Sequence, residues 1–323
     1  MHAIQIRATG GPDVLDYVTQ PERMPGDGEL LVEVAAAGVN FIDLYRREGR
    51  YPMSLPGVPG EEGAGHVLAA GANVDRFRAG DRVAWTTVMG SYASRVIVPQ
   101  DKAIAVPAAL DLRTAAAALV QGMTAHYLAN DSYPARAGDI VLIHAAAGGV
   151  GGLLTQWLTR RGVRVIATVS TAEKAALARG HGADVVILHG AVDDLAAEVR
   201  RLSDGKGVHA AYDGVGAATF DASLDSLRTR GTLVIFGGAS GPVPPVDVMR
   251  LLWGGSLTLT RPYLEHFRAT RDEFERRAGD VFDAIASGAL RIRIGGVYPL
   301  ADARRAHADL AARRTTGKLL LVP

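Results

Sequence analysis

The sequence predicts an α/β protein of two domains, one mostly β and the other a doubly wound parallel sheet. Three observations carry this reading. The chain has 323 residues, 48% of them apolar, enough to fill two ordinary cores without disulfides or metals. Before residue 112 it consists of Gly- and Pro-rich turns between short β-type runs, with few long helical patterns. From Gly138 onward, strands alternate with helices at the spacing of parallel βαβ units.

In the first stretch, Leu30–Ala35 and Gly65–Ala69 read as strands, as does Arg82–Trp85 after the turn at Gly80-Asp81. In the second, Ile140–Ala145 is a continuous apolar run suited to a strand buried on both faces. Val150, Leu153, Leu154, Trp157 and Leu158 then recur at i, i+3, i+4, i+7 and i+8, which puts them on one helix face. The cycle continues with strand Val163–Val169, helix Ala172–Arg179 and strands Asp184–Leu188, Val208–Tyr212 and Thr232–Phe236. Helices are expected over 193–203 and 217–228. A last helix is expected over 265–287, followed by strand-like pieces near 291–297 and 317–322.

Composition excludes several classes of function. Lys plus Arg (35) balances Asp plus Glu (34) with no block of like charge, so the basic stripe of a sequence-independent nucleic-acid binder is missing. The N-terminus lacks the apolar core of a signal peptide and no membrane-length apolar run follows, so a cytoplasmic location is expected. The chain has no cysteine, which rules out thiolate catalysis, Cys-ligated zinc and disulfides together. Its cations are nearly all Arg, with Lys only at 102, 174, 206 and 318.

The turn after the first buried strand carries the chemistry. Read against G-x-G-x-x-G, Ala145–Gly151 gives Ala146-x-Gly148-x-x-Gly151, one glycine short. Gly148 lets a pyrophosphate approach the backbone, and Gly151 lets the helix pack closely on the strand. The helix opening near Gly149 aims free N–H groups at the phosphates. A βα turn that binds nothing is the plain alternative. The end of the next strand then discriminates between cofactors. NAD enzymes place Asp or Glu there for the ribose hydroxyl. Here the run is Thr168-Val-Ser170-Thr171 with Lys174 one helical turn on, a set that suits a 2′-phosphate. NADPH is the expected cofactor.

Further motifs carry a resemblance. Ala36–Tyr45 resembles the A-x-G-[IV]-N-x-x-D-x-Y segment of zeta-crystallin-like quinone oxidoreductases, and Pro59–His66 resembles their G-x-E-x-x-G segment. Phe77–Val83, His144–Gly151 and Ser287-Gly288 complete a match that spans essentially the whole chain. The resemblance implies a GroES-like, mostly-β catalytic domain over 1–122 and 264–323 and a Rossmann domain over 123–263, in the zinc-free branch of the medium-chain dehydrogenase/reductase superfamily. Where the zinc-dependent relatives carry their Cys, His and Cys ligands, this chain has Asn40, Glu61 and a position near Val120. No metal ligand set is expected.

The resemblance also implies site residues. Asn40, Tyr45 and Thr124 are expected near the nicotinamide and its ribose. Ala147, Gly148, Gly149 and Val150 are expected at the pyrophosphate, and Ser170, Lys174 and His189 around the 2′-phosphoadenosine. Phe236, Gly237 and Gly238 would run beneath the nicotinamide half, with Arg313 a contact from the tail. Gly214 stands where relatives carry Ser or Asn, so that side-chain contact is absent. Tyr51 resembles a tyrosine that faces the acceptor pocket and, with Asn40, is the candidate for positioning the acceptor. Plainer roles stand beside these: Asn40 pinning a turn, Tyr45 and Tyr51 as packing aromatics, His126 as a helix residue, Asp43 anchoring the Asn40 loop. The expected activity is NADPH-dependent, zinc-independent quinone reduction. The alternatives are an NADPH-dependent enal or enone reductase and an NADPH-binding structural or nucleic-acid-binding crystallin-like protein. A homodimer is expected, with the apolar run Gly255–Thr260 lying where relatives pair edge strands across a two-fold axis.

Overall fold

The structure is a computed structural model describing residues 1–323. It divides into two units, one of residues 1–123 with 268–323 and one of residues 124–267. The first unit begins with β1 (His2–Gln5), β2 (Asp16–Thr19), β3 (Glu29–Val39), α1 (Phe41–Arg47) and β4 (Glu62–Ala70). It continues through β5 (Arg82–Thr86), β6 (Arg95–Pro99), β7 (Ala103–Ala105) and α2 (Leu112–Tyr127), the helix inside which the division falls.

The second unit runs β8 (Ile140–His144), α3 (Gly149–Thr159), β9 (Arg164–Val169), α4 (Ala172–Gly180), β10 (Val185–Leu188) and α5 (Leu195–Leu202). It ends with β11 (Val208–Asp213), α6 (Phe220–Asp225), β12 (Leu227–Ile235), α7 (Met249–Trp253) and β13 (Thr258–Thr260). All six strands are parallel, in the order β10-β9-β8-β11-β12-β13. This is the dinucleotide-fold order, with its switch point between β8 and β11, and ligands in such sheets bind beyond the strand C-termini at that point. The central strands supply the core: Leu142, Ile166, Ala211 and Leu233 are completely buried among Phe220, Leu224 and Val199 from the helices.

The tail returns to the first unit with α8 (Arg271–Ala286), β14 (Ile294–Pro299), α9 (Ala303–Ala311) and β15 (Lys318–Val322). The seven-stranded sheet there is organised around β3. One edge of β3 pairs with β4; the other is shared by β6 over Glu29–Glu33 and β15 over Ala37–Val39. Serving three strands explains the length of β3, which the sequence reading ended at Ala35. Two further expectations shift. The helix expected over 217–228 is only α6, because β12 begins early, pairing Leu227 with Val208 before a bulge. The helix expected from 265 begins at Arg271, where Thr270 Oγ1 accepts from Glu273 N at 3.2 Å and caps it. No helix is long and apolar enough to cross a membrane.

Candidate functional site

In the second unit the expected nucleotide residues gather beyond the C-termini of the parallel strands. Ala145 takes a left-handed conformation (φ 51°) just past β8, and Gly148 becomes the N-cap of α3 with extended backbone (φ −77°, ψ 173°). Gly149 and Val150 are the first helical residues, so their N–H groups have no intrahelical acceptor and point along the positive end of the helix. A Cβ at Gly148 would meet only Ala145 O, at 3.1 Å, whereas one at Gly151 would fall 2.5 Å from that oxygen. The fold therefore forbids a side chain at 151. At 148 it leaves room that a phosphate can use.

Past β9, Ser170 is exposed and Lys174 Nζ donates to its Oγ at 3.1 Å. Thr171 caps α4 by accepting from Lys174 N at 3.3 Å. The same turn contains Glu173, whose carboxyl is drawn below its usual range by a hydrogen bond with the Thr171 side chain. Past β10, His189 is exposed, and its ring lies 6.3 Å from that of His144 at an angle of 20°. Past β12, Phe236 N donates to Asp213 O at 2.9 Å. A Cβ on Gly214 would meet the Phe236 ring at 2.8 Å, and one on Gly237 would meet Gly214 O at 2.4 Å, so the 214 and 236–238 turns are mutually fitted. Thr124 is buried within α2.

A buried polar chain, which the sequence reading missed, lies beneath this rim. Asp213 Oδ1 accepts from Val215 N and Gly216 N at 2.8 and 3.0 Å, and Oδ2 accepts from Thr219 Oγ1 and Ser223 Oγ at 2.7 and 2.8 Å. The Ser223 hydroxyl hydrogen is committed to Asp213, so its oxygen accepts from His144 Nε2–H at 2.9 Å. Nδ1 of His144 then accepts from Thr168 Oγ1 at 2.8 Å. Burial pushes the His144 pKa down to about 4, against the charge of Asp213 and with a smaller push from His189, so the ring is neutral. Three strand ends, those of β8, β9 and β11, are tied through one imidazole.

In the first unit, Asn40 is the N-cap of α1, and its N–H donates to Asp43 Oδ2 at 2.8 Å. Asp43 thus anchors the Asn40 turn, and Tyr92 OH donates to the same oxygen at 2.9 Å. His307 Nε2 lies 3.1 Å from Tyr92 OH, and its Nδ1 lies 3.3 Å from Arg47. Burial, with the charge of Glu61 second, raises the Asp43 pKa to about 7, and burial lowers that of His307 to about 3. The Asn40 amide faces another way: Nδ2 donates to Glu62 at 3.0 Å and Oδ1 accepts from Lys318 Nζ at 2.6 Å. Lys318 also pairs with Glu62, both completely buried, and Glu62 Oε1 accepts from Val120 N at 2.6 Å. Tyr45 and Tyr51 stack at 5.9 Å, with the Arg50 guanidinium 4.1 Å above the Tyr45 ring. Arg313 occupies an exposed left-handed turn (φ 56°) after α9.

The chain matches two family descriptions, an alcohol dehydrogenase GroES-like domain over residues 26–108 and a zinc-binding dehydrogenase over 149–280. A curated quinone oxidoreductase of Pseudomonas aeruginosa is 44% identical over 99% of both chains. The chain belongs to the quinone oxidoreductase family. That family lies within the medium-chain dehydrogenase/reductase superfamily. A mycobacterial protein solved in complex with NADPH superposes on this family member with a TM-score of 0.97, at 54% identity and with 100% of each chain covered. A 2-haloacrylate reductase of Burkholderia is 38% identical over 99% of this chain and 98% of its own.

The zinc named in one of those descriptions does not fit the residues of this quinone oxidoreductase family member. Of the three positions aligned with zinc ligands, Asn40 is an amide, Glu61 is paired with Arg46, and Val120 has only its backbone to offer. The adjacent carboxylate, Glu62, is closed by an ammonium. One signal for this cluster was present in the sequence: Lys318 is one of four lysines in an arginine-rich chain.

Proposed function

We propose that this chain is a metal-independent NADPH:quinone oxidoreductase. The observation that carries the cofactor is the Ser170–Lys174 pair at the end of β9, a hydroxyl and an ammonium held together at 3.1 Å where NAD-binding sheets carry an acid. NADPH, when bound, supplies a hydride equivalent to an electron-poor acceptor. The residues assigned to hold it are Ala147, Gly148, Gly149 and Val150 at the pyrophosphate and Ser170, Lys174 and His189 at the 2′-phosphoadenosine end. Asn40, Tyr45, Thr124, Phe236, Gly237 and Gly238 are assigned to the nicotinamide half, with Arg313 from the tail. Tyr51 positions the acceptor, its ring direction set by the stack on Tyr45. A quinone is electron-deficient without a Lewis acid, which suits a site whose buried carboxylate already has its cation in Lys318.

A second reading, reduction of a polarised carbon–carbon double bond, has two supports. One relative carries the name 2-haloacrylate reductase. Arg50, beside Tyr45 and Tyr51, places a cation where a carboxylate-bearing alkene would need one. An acceptor screen under NADPH separates the two. Turnover of ortho- and para-quinones above that of 2-alkenals and 2-enoates supports the first reading, and the reverse ranking replaces it with the second.

The same proposal includes a dimer. β13 ends the six-stranded order with one edge unpaired, and α7 just before it, with its N-cap Val248, leaves Val248, Leu252 and Trp253 exposed, the last by 79%. An edge strand beside an apolar surface suits pairing with a second copy across a two-fold axis. Sedimentation at the mass of one chain would remove this part.

A further inference from the structure

The strand register explains why an ammonium lies inside the first unit. β15 pairs antiparallel with β3, Leu319 opposite Val39 and Leu320 opposite Gly38, so Lys318 comes next to Asn40. On the other edge Ala37 pairs with Gly63, which brings Glu62 beside Gly38. A Cβ at Gly38 would lie 2.4 Å from a Glu62 oxygen and 2.6 Å from Lys318 Cε. Glycine at 38 therefore leaves the gap in which the two charges meet, and both are completely buried.

The chemistry of the two neighbours decides which way the Asn40 amide points. Ammonium only donates, so it must face Oδ1; carboxylate only accepts, so it must face Nδ2. With Nδ2 committed to Glu62 at 3.0 Å, and its other N–H directed at Gly38 O at 3.5 Å, the group left to offer is the second lone pair of Oδ1. Asn40 retains 6% exposure.

We propose that Lys318, held by Glu62, is a positioning residue that locks Asn40 as a hydrogen-bond acceptor, so that Asn40 receives a ribose hydroxyl of NADPH and does not donate to the acceptor carbonyl. This rests on the NADPH reading above. It narrows Asn40 from positioning the acceptor to aligning the cofactor and assigns Lys318 and Glu62 roles at the nicotinamide end. If the ammonium is removed and the carboxylate becomes an amide, the Asn40 amide turns over, because the new NH₂ must face an oxygen. The edge offered to the ribose then becomes a donor, so the hydroxyl must accept there and its own hydrogen loses the acceptor it had in Oδ1.

The test is nucleotide binding, read by fluorescence and calorimetry with no acceptor present. In the charge-matched variant Lys318→Met/Glu62→Gln, NADPH affinity is expected to fall about tenfold, the cost of one hydroxyl hydrogen left without its acceptor. Affinity for 2′-phospho-ADP-ribose, which lacks the nicotinamide, should stay within about twofold of the parent. Lys318→Gln keeps a donor over Oδ1 and is expected to hold NADPH within about threefold. In an Asn40→Ala background the paired substitution should cost nothing further. Equal losses for NADPH and the fragment, an undiminished loss in the Asn40→Ala background, or a folded Lys318→Gln chain that binds like the paired variant would each overturn the proposal. A parent that binds NADPH yet turns over no quinone would sink the quinone reading and leave this one standing. A parent without NADPH affinity would overturn both.

Discussion

A lysine that reaches back one helical turn to a serine is a preformed anion clamp: Lys174 and Ser170 meet over the N-terminus of α4, whose backbone adds its own positive end. Glu173 shares that turn and opposes an anion, but its carboxylate is fully exposed and bonded to Thr171, so solvent screens it more than it screens Lys174. Lys174→Ala is therefore expected to weaken NADPH about tenfold while leaving NADH within about twofold, measured as dissociation constants for the two nucleotides. Equal losses for both would show that the lysine serves the fold and not the 2′-phosphate. Ser170, Lys174 and the Gly148 turn were legible because the chemistry of each lies within a few residues of sequence. Lys318 and Asn40 are 278 residues apart and meet only through the β3–β15 register, so no local pattern discloses their contact. The His144–Ser223–Asp213 chain was missed for the same reason, since each member reads alone as a strand or helix residue.

At the scale of the element, α3 sets two glycines to different work. Gly151 is closed by backbone, with Ala145 O, Ala145 C and Ala146 Cα all within 3.0 Å of where a methyl group would stand, whereas Gly148 is nearly open. Gly151→Ala must push the helix off β8 and is expected to lower stability by about 1–3 kcal/mol, the usual cost of overpacking. Gly148→Ala is expected to melt within a degree or two of the parent yet lose NADPH affinity at least tenfold, because its methyl stands where the pyrophosphate approaches. Melting curves paired with NADPH titrations check both, and a reversed pattern would put the phosphate elsewhere. Elements of this unit were readable because a parallel sheet buries both faces and writes long apolar runs. The short elements of the first unit were not. α1 is seven residues, β7 is three and α9 is the Ala- and Arg-rich run Ala303–Ala311, too brief or too uniform for a period to show. The β12 bulge also hid its start, since Leu227 looked like the end of a helix.

Across the whole molecule, three buried groups have shifts that act on stability in mild acid. His144 and His307 titrate at 6.5 when unfolded but at about 4 and about 3 in the fold. Between those values the unfolded chain takes up two protons that the folded chain refuses, so acid destabilises it. Asp43 works the other way. Its carboxyl moves from 3.8 to about 7, so in the same window the fold holds a proton that the unfolded chain releases. Over roughly pH 4.5–6 the balance is one proton in favour of the unfolded chain, and stability should rise with pH at about 1.4 kcal/mol per unit. Asp43→Asn keeps an oxygen for Asn40 N–H and Tyr92 OH and puts its NH₂ where Oδ1 has no partner. It lowers stability overall, but it also removes the opposing proton. The slope in the variant should therefore be about twice that of the parent, near 2.8 kcal/mol per unit, in urea unfolding carried out at half-unit steps without nucleotide. Parallel slopes for the two chains would mean that Asp43 is ionised in the fold and that Tyr92 and Asn40 N–H compensate a full buried charge.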